Sequence, residues 1–342
     1  MGNVVMGAKG EPGPVVAALI EVAELAGGTG APHLLVDRAD VIVLRLGGIV
    51  VKAHPADTDV ARLVARLRVA SAPALADILL APIAVGGQPV VRHGGRLITV
   101  WPYGVPVDPD DPDAAPWEQA ATLLARLHAT PVSDLSASHD PVADPAHPAE
   151  YTADADRHSA ADGAVARYPI PDAGGPARVY RALARLRAAG DGVDASAAAT
   201  VCRAFAGLPE LAAQRRGLVH GDFHLGQLVR LVDESESPWR LVDIDDLGLG
   251  EPAWDLARPA AFYAAGILDP VVWQRFLGSY RASGGTAVPI EGNEWATLEL
   301  PARAVAVQAA ALAVAKADGE SDELDAALVD ACRRIADADA TS

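Results

Sequence analysis

The sequence predicts an α+β fold of two lobes: an antiparallel sheet with one helix up to about residue 103, then a mostly helical remainder. Two pairs of β-rich runs are each joined by a glycine turn: 41–46 to 49–53 through Gly47-Gly48, and 89–92 to 96–101 around His93-Gly94-Gly95. Connections this short join antiparallel strands, whereas parallel neighbours need a crossover of about a dozen residues or more. Beyond residue 103, apolar residues recur mainly at helical spacing.

Taken in order, Val15, Leu19, Val22 and Leu25 predict a short helix over 15–26 in a Gly- and Ala-rich start. A strand begins at 34–36 and turns at 37–40. Residues 57–70 form an amphipathic helix with Val60, Leu63, Val64 and Leu67 on one face, and Asp57 or Thr58 is placed to cap it. This helix is expected against the sheet. A Pro/Asp-rich linker at 108–113 follows, and the expected domains are 1–103 and 104–342. The helix over 116–129 has a stripe of Trp117, Ala120, Leu124 and Leu127, with Pro116 in its first turn. Residues 131–178 are irregular and rich in Pro, Asp, Ala and His, as substrate lids or excursions are. His139, His147 and His158 are too scattered there for a metal site. Helical stretches follow at 178–189 and 196–213, the second capped by Ser196 and interrupted at Gly207 and Pro209. More follow at 252–265, at 269–282, at 293–317 with a bend at Pro301, and through Leu324, Leu328 and Ile335.

Composition narrows the function. The 342 residues suffice for two cores, and 51% hydrophobic with 21% charged residues is the balance of a globular chain. Lys plus Arg number 28 against 45 Asp plus Glu, a net charge of −17. That argues against nucleic acid and anionic membranes as partners. An acidic surface serves solubility first, and suits a cationic substrate second. Cys202 and Cys332 lie in no paired metal spacing and read as reduced core residues. No basic segment with an apolar core and cleavage site opens the chain, and the apolar run 304–315 is broken by Gln308 and too short for a bilayer. A cytoplasmic protein is expected.

The chemistry is concentrated in Leu218-Val219-His220-Gly221-Asp222-Phe223-His224-Leu225-Gly226-Gln227-Leu228-Val229 and, after one hairpin, Leu241-Val242-Asp243-Ile244-Asp245-Asp246-Leu247-Gly248. An imidazole, two separated carboxylates and a side-chain amide sit at strand ends, the set phosphoryl transfer needs. Asp222 orients a substrate hydroxyl and accepts its proton. Asp243 and the Gln227 amide oxygen hold the Mg²⁺ that bridges ATP phosphates. A lone Asp in a turn is more often a cap, but His220, Asp222, Gln227 and Asp243 together at fixed spacing reverse that preference. His220 holds the two loops together. His224 faces substrate or solvent, Asp245 is a second acidic candidate beside the metal, and Asp246 faces a cationic substrate or solvent.

The order His-Gly-Asp-x-His-x-Gly, with Gly248-Leu249-Gly250-Glu251-Pro252-Ala253-Trp254-Asp255-Leu256-Ala257 downstream, resembles the aminoglycoside phosphotransferase and choline kinase-like family, which has a protein kinase-like fold. The resemblance implies an ATP- and Mg²⁺-dependent kinase acting on a hydroxyl of an aminoglycoside, amino sugar or amino alcohol. It implies that Lys52 pairs with the α- and β-phosphates and that Val100-Trp101-Pro102-Tyr103-Gly104 is the hinge binding adenine through backbone groups, with Trp101 or Tyr103 stacking on the base. Asp255 matches the Asp that supports the catalytic turn. Residues 124–128 resemble the helix after the hinge, where His128 packs or caps.

The chain departs from the family at two points. Gln227 stands where the family has Asn, and helix 57–70 has no Glu to pair with Lys52, Asp59 being the nearest acidic residue. His-Leu-Gly-Gln also resembles maltokinases and glucosamine kinases, which makes a sugar kinase of that type one alternative. A kinase-like binding protein that has lost transfer is the other. The missing Glu favours it, while Lys52, Asp222 and Asp243 oppose it.

Overall fold

The computed structural model describes residues 4–5, 13–111, 114–135, 169–212, 214–231, 238–316 and 322–339. His139, His147 and His158 lie outside the described residues. The described chain falls into two compact units. The first takes its residues from Met1–Pro106, Ser133–Pro171 and Val229–Ile244, and the second from Val107–Val132, Asp172–Leu228 and Asp245–Ser342. Where a single cut between residues 103 and 104 is expected, the division is discontinuous.

The first unit begins with β1 (Val4–Val5), α1 (Pro14–Leu25), β2 (Pro32–Asp37), β3 (Ile42–Leu46), β4 (Ile49–Ala53), α2 (Val60–Ala70), β5 (Val91–His93), β6 (Arg96–Pro102) and β7 (Gly104–Pro106). Six of these strands form one sheet in the order β1-β2-β3-β4-β6-β5, with every neighbouring pair antiparallel. Both hairpins form where the glycine turns predict them. Gly47 alone has a positive φ (60°) in the first turn, as a II′ turn requires at its first central position, whereas Gly94 and Gly95 both do (55° and 75°), as I′ requires. Apolar residues on the sheet face meet α1. Ala18, Leu19, Val22 and Ala23 pack with Leu44, Leu46, Val51, Ile98 and Val100. The helix in this core is thus α1, rather than the 57–70 helix singled out from the sequence.

That helix, α2, starts later than its periodicity suggests. Thr58 N–H bonds the Pro55 carbonyl in a turn, so Asp57 and Thr58 precede the cap. Asp59 is the cap, its Oδ1 accepting the Arg62 N–H at 3.1 Å.

The chain continues through α3 (Trp117–Ala129), α4 (Val132–Leu135), α5 (Gly175–Ala188), α6 (Ala195–Ala206), β8 (Gly217–Val219), β9 (Leu228–Leu231), β10 (Arg240–Leu241), β11 (Gly248–Gly250), α7 (Ala253–Ala264), α8 (Pro270–Ala282), α9 (Trp295–Val314) and α10 (Glu323–Asp339). In the first unit β9 pairs with β7, Gly104 opposite Leu231 and Pro106 opposite Val229, and has β10 on its other side. This pairing is why 229–244 belongs with the first unit.

The second unit packs α5, α6 and α10 around α9, through Val179, Leu183, Leu186, Val201, Ala304, Val307, Ala311, Leu328 and Cys332. α9 is the one described helix long and apolar enough to cross a membrane by length and composition, and most of that window is buried, the pattern of a core helix. Asp194 rather than Ser196 caps α6, accepting the Ser196 and Ala197 N–H groups. Cys202 and Cys332 are free thiols, and burial pushes the Cys332 thiol up to about 12.

Replacing the Asp59 cap with Ala should destabilise the protein by about 0.5–2 kcal/mol in a denaturant titration, because an N-terminal N–H loses its acceptor. Asp57→Ala should cost far less. Equal losses in the two variants would refute the assignment of the cap.

Candidate active site

In the second unit, β8 and β11 form an antiparallel pair with Val219 opposite Gly248 and Gly217 opposite Gly250. The turn His220-Gly221-Asp222-Phe223 leaves the end of β8. Its shape is set by Asp255 in the first turn of α7, whose carboxylate is fully buried. Asp255 Oδ2 accepts the His220 N–H at 2.7 Å, and Oδ1 accepts the Gly221 N–H at 2.7 Å.

Oδ2 also lies 2.9 Å from His128 Nε2, and His128 Nδ1 lies 2.7 Å from the Tyr280 hydroxyl. The Ala287 N–H donates to that hydroxyl at 2.9 Å. Burial pushes the Tyr280 hydroxyl far above the ordinary phenol range, so it keeps its proton. A neutral chain of donors then runs in one direction: Ala287 to Tyr280, Tyr280 to His128 Nδ1, His128 Nε2 to Asp255. Burial alone would raise the Asp255 carboxyl. The His128 hydrogen bond, the electrostatic attraction of the His128 and His220 rings and the His220 N–H outweigh it and hold the group below its ordinary value. His128 therefore braces the catalytic turn, a role the sequence left as packing or capping.

Two further constraints hold the turn. Gly221 has φ 83°, and a Cβ there would collide with the Asp246 carbonyl. Phe223 is buried and stacks on Phe276, ring centroids 6.2 Å apart, which fixes the residue beside Asp222.

Asp222 does not face open solvent. Arg178 Nη2 lies 2.6 Å from its Oδ2, and Arg258 Nη2 donates to Oδ1 at 3.2 Å. Burial pushes its carboxyl up, against the lowering effect of Arg178 and Arg258. Arg178 also donates from Nη1 to Asp246 Oδ2 at 2.5 Å, and Arg181 reaches Asp246 Oδ1 at 3.2 Å. Asp246, expected to face a cationic substrate or solvent, is thus engaged by two arginines of α5.

His224, expected toward substrate or solvent, is half-buried and engages its own turn. Its Nδ1 accepts the Gly226 N–H at 3.1 Å and its Nε2 lies 3.2 Å from the Gln227 amide nitrogen. Gln227 ends a short 3₁₀ turn (Leu225–Gln227) and is buried. Asp245 sits half-buried in the 3₁₀ turn Ile244–Asp246.

In the first unit, Lys52 on β4 places its Nζ 2.7 Å from Asp243 Oδ1. Asp59, the nearest acidic residue by sequence, caps α2, and it is Asp243 that stands beside the lysine in the absence of a helix Glu. Asp243 has φ 62°, alone among the described non-glycine residues in the left-handed region. Its side chain is 39% exposed, open enough to accept a metal ion.

No group of three or more His, Cys, Asp or Glu among the described residues forms a metal cluster. A nucleotide-borne Mg²⁺ needs none, because the phosphates supply much of its shell. An exposed carboxylate beside a lysine fits such an ion. Of the hinge residues, Val100 is core, its carbonyl accepting the Ile83 N–H. Trp101 donates its indole N–H to Thr99 Oγ1 at 3.0 Å, and the Tyr103 ring has the Arg45 guanidinium 3.5 Å from its centroid.

A sequence profile of the phosphotransferase enzyme family matches residues 22–288. The chain belongs to this family. It is a phosphotransferase with an alcohol group as acceptor. The chain is 30% identical to viomycin phosphotransferase of Streptomyces vinaceus over 225 residues, 63% of this chain and 69% of that protein. Among solved structures, it is similar to a choline/ethanolamine kinase family protein from Mesorhizobium loti (TM-score 0.53, 16% identity, covering 96% of this chain and 95% of the other). It is also similar to a thermostable mutant of aminoglycoside phosphotransferase APH(4)-Ia (TM-score 0.53, 13% identity, 95% and 100% covered). The GDP complex of aminoglycoside 2′-phosphotransferase-IIIa gives a TM-score of 0.51 at 11% identity, with 96% and 99% covered. These similarities show the two-lobed, kinase-like α+β fold.

Sequence reasoning missed Arg178, Arg258, Tyr280 and Gln308. Only Arg258 left a signal: it lies one helical turn after Asp255, on the face that meets the catalytic turn.

Asp255→Asn should cost roughly 3–5 kcal/mol, since an amide nitrogen would then face a buried N–H donor. The folded pKa is depressed, so the carboxylate's contribution is present above 3.8, its ordinary value, and is lost as the pH falls below it. The variant's stability profile should accordingly be flatter than the parent's on the acid side. An unchanged acid slope would contradict the assignment.

Proposed function

We propose that the protein is an ATP- and Mg²⁺-dependent kinase that phosphorylates a hydroxyl of a small molecule of the aminoglycoside, amino sugar or amino alcohol kind. The observation that carries this reading is Asp222, a buried-edge carboxylate on a turn anchored by Asp255. In the reaction, the acceptor oxygen forms a bond to the γ-phosphorus, the bond to the β-phosphate oxygen breaks, and ADP leaves. The hydroxyl proton passes to Asp222 late, as the loose transition state releases it.

Lys52 and Asp243 support the nucleotide side. Lys52 would neutralise α- and β-phosphates, while Asp243 with the Gln227 amide would hold the metal. The bound Mg²⁺ supplies charge compensation to the transferring phosphoryl group. The GDP bound to aminoglycoside 2′-phosphotransferase-IIIa supports a nucleotide donor. Gln227 differs from the family's Asn by one methylene and is buried at the end of its 3₁₀ turn.

Four variants test the assignment. Asp222→Asn should leave Mg·ATP affinity nearly unchanged and lower turnover by roughly 10²–10⁴-fold. Lys52→Ala should weaken both nucleotide binding and rate. Asp243→Ala should abolish metal-dependent nucleotide binding in calorimetry, while Gln227→Asn should be tolerated. Full turnover in Asp222→Asn would refute the base assignment.

The acid limb of the rate profile should lie above the ordinary carboxylate range, because burial raises Asp222. Arg178 and Arg258 both lower it. Removing one cation in Arg178→Gln should therefore move the limb to still higher pH. A shift to lower pH would contradict Asp222 as the titrating group.

A further inference from the structure

A recess in the second unit is lined by Arg178, Asp222, Trp254, Arg258 and Gln308. Its walls carry more hydrogen-bond donors than the protein uses. Arg178 spends Nη1 on Asp246 and Nη2 on Asp222, and its buried Nε–H has no partner among the described residues. Arg258 donates from Nη2 to Asp222, and a guanidinium has further N–H groups on Nε and Nη1. Gln308, on α9, is 3% exposed and lines the recess.

The one carboxylate in the wall is already engaged, since each oxygen of Asp222 faces a guanidinium. Counting formal charges, Asp222 and Asp246 stand against Arg178, Arg181 and Arg258, an excess of one positive charge. An ammonium entering here would meet two guanidinium groups and, besides the engaged Asp222, only the neutral Gln308 amide oxygen as a side-chain acceptor. A carboxylate would meet unspent donors in the planar geometry that arginine offers.

We propose that this recess binds a carboxylate borne by the acceptor close to its reacting hydroxyl, so that within the amino sugar and amino alcohol classes the preferred substrates also carry an acid group. Any amino groups such an acceptor carries stay outside the recess. Trp254 offers an apolar face to the carbon skeleton. Arg178 can keep its bond to Asp246 while the hydroxyl takes its place on Asp222. This rests on the reading of Asp222 as the base that receives the hydroxyl.

The test is ADP release by the full chain with Mg·ATP across matched sets of acceptors: hydroxy acids and sugar acids, each beside its neutral and its amino counterpart. The acid member of a set should give the highest kcat/KM. Arg258→Gln and Gln308→Leu should each lower kcat/KM for the acid by roughly 10–100-fold, the loss of one charge-assisted or buried hydrogen bond. The neutral member should change less, and Mg·ATP binding should persist as proof of folding. Arg258→Lys, which keeps the charge without the planar fork, should recover part of the loss. Preference for the amino member, the same preference in parent and Arg258→Gln, or silence from every acid overturns the proposal. The kinase reading fails separately, if Mg·ATP does not bind or if no acceptor of any charge releases ADP.

Discussion

The buried carboxylate of Asp255 is the contact on which the functional end of the second unit depends. It takes two backbone N–H groups from the catalytic turn and one ring N–H from His128. A buried carboxylate is tolerated only when its lone pairs are filled, and this one is filled from two elements at once, the turn and α3. Tyr280 on α8 extends the same chain of bonds, so three helices and one turn share a single charge. Gly221 completes the arrangement, because its positive φ and missing Cβ let the turn pass the Asp246 carbonyl. The backbone that carries Asp222 is thus placed by hydrogen bonds to Asp255, while Arg178 and Arg258 hold its carboxylate. The same helix that carries Asp255 brings Arg258 one turn later onto Asp222.

The first unit solves a different problem. Its lysine stands on a sheet strand with no Glu available from α2, and the charge is met by Asp243. That pair is too exposed on the Asp243 side to matter much for stability. Its value is positional: it holds the ammonium and the carboxylate together where phosphate and metal would each claim one. The left-handed backbone at Asp243 costs on the order of 1–3 kcal/mol, a strain that persists only where the surroundings over-determine it.

What could be read in the sequence follows from how local each constraint is. The hairpins at Gly47-Gly48 and Gly94-Gly95 and the helices of the second unit come from short-range periodicity and turn chemistry, and they form close to where the pattern puts them. Caps were read one or two residues out, because Asp59 and Asp194 compete with equally suitable neighbours and only the preceding turn decides. The choice of α1 over α2 as the helix of the sheet core is a tertiary matter, since both have an apolar stripe. Asp222, Gln227 and Asp243 announced themselves by spacing. Arg178, Gln308 and Tyr280 could not, since each lies on a separate helix and has no motif of its own. Their meaning appears only when folding brings α5, α7, α8 and α9 of one unit around one turn.

The electrostatics of that turn explain why so many arginines are needed beside a base. Burial favours the protonated form of Asp222, and a protonated carboxyl cannot receive a proton. Two guanidinium groups oppose that shift without cancelling it, but a guanidinium placed directly on each oxygen also blocks the hydroxyl. Sharing Arg178 with Asp246 resolves the conflict. Asp246 gives the arginine a second anchor, so it can loosen from Asp222 without becoming a buried unpaired cation. Arg181 then offsets the charge of Asp246 on its other oxygen. The result is a carboxylate kept near neutralisation by one firm partner and one displaceable one. The displaceable side is also the side lined by unspent donors, so the group that moves Arg178 off Asp222 enters where oxygen atoms are best received.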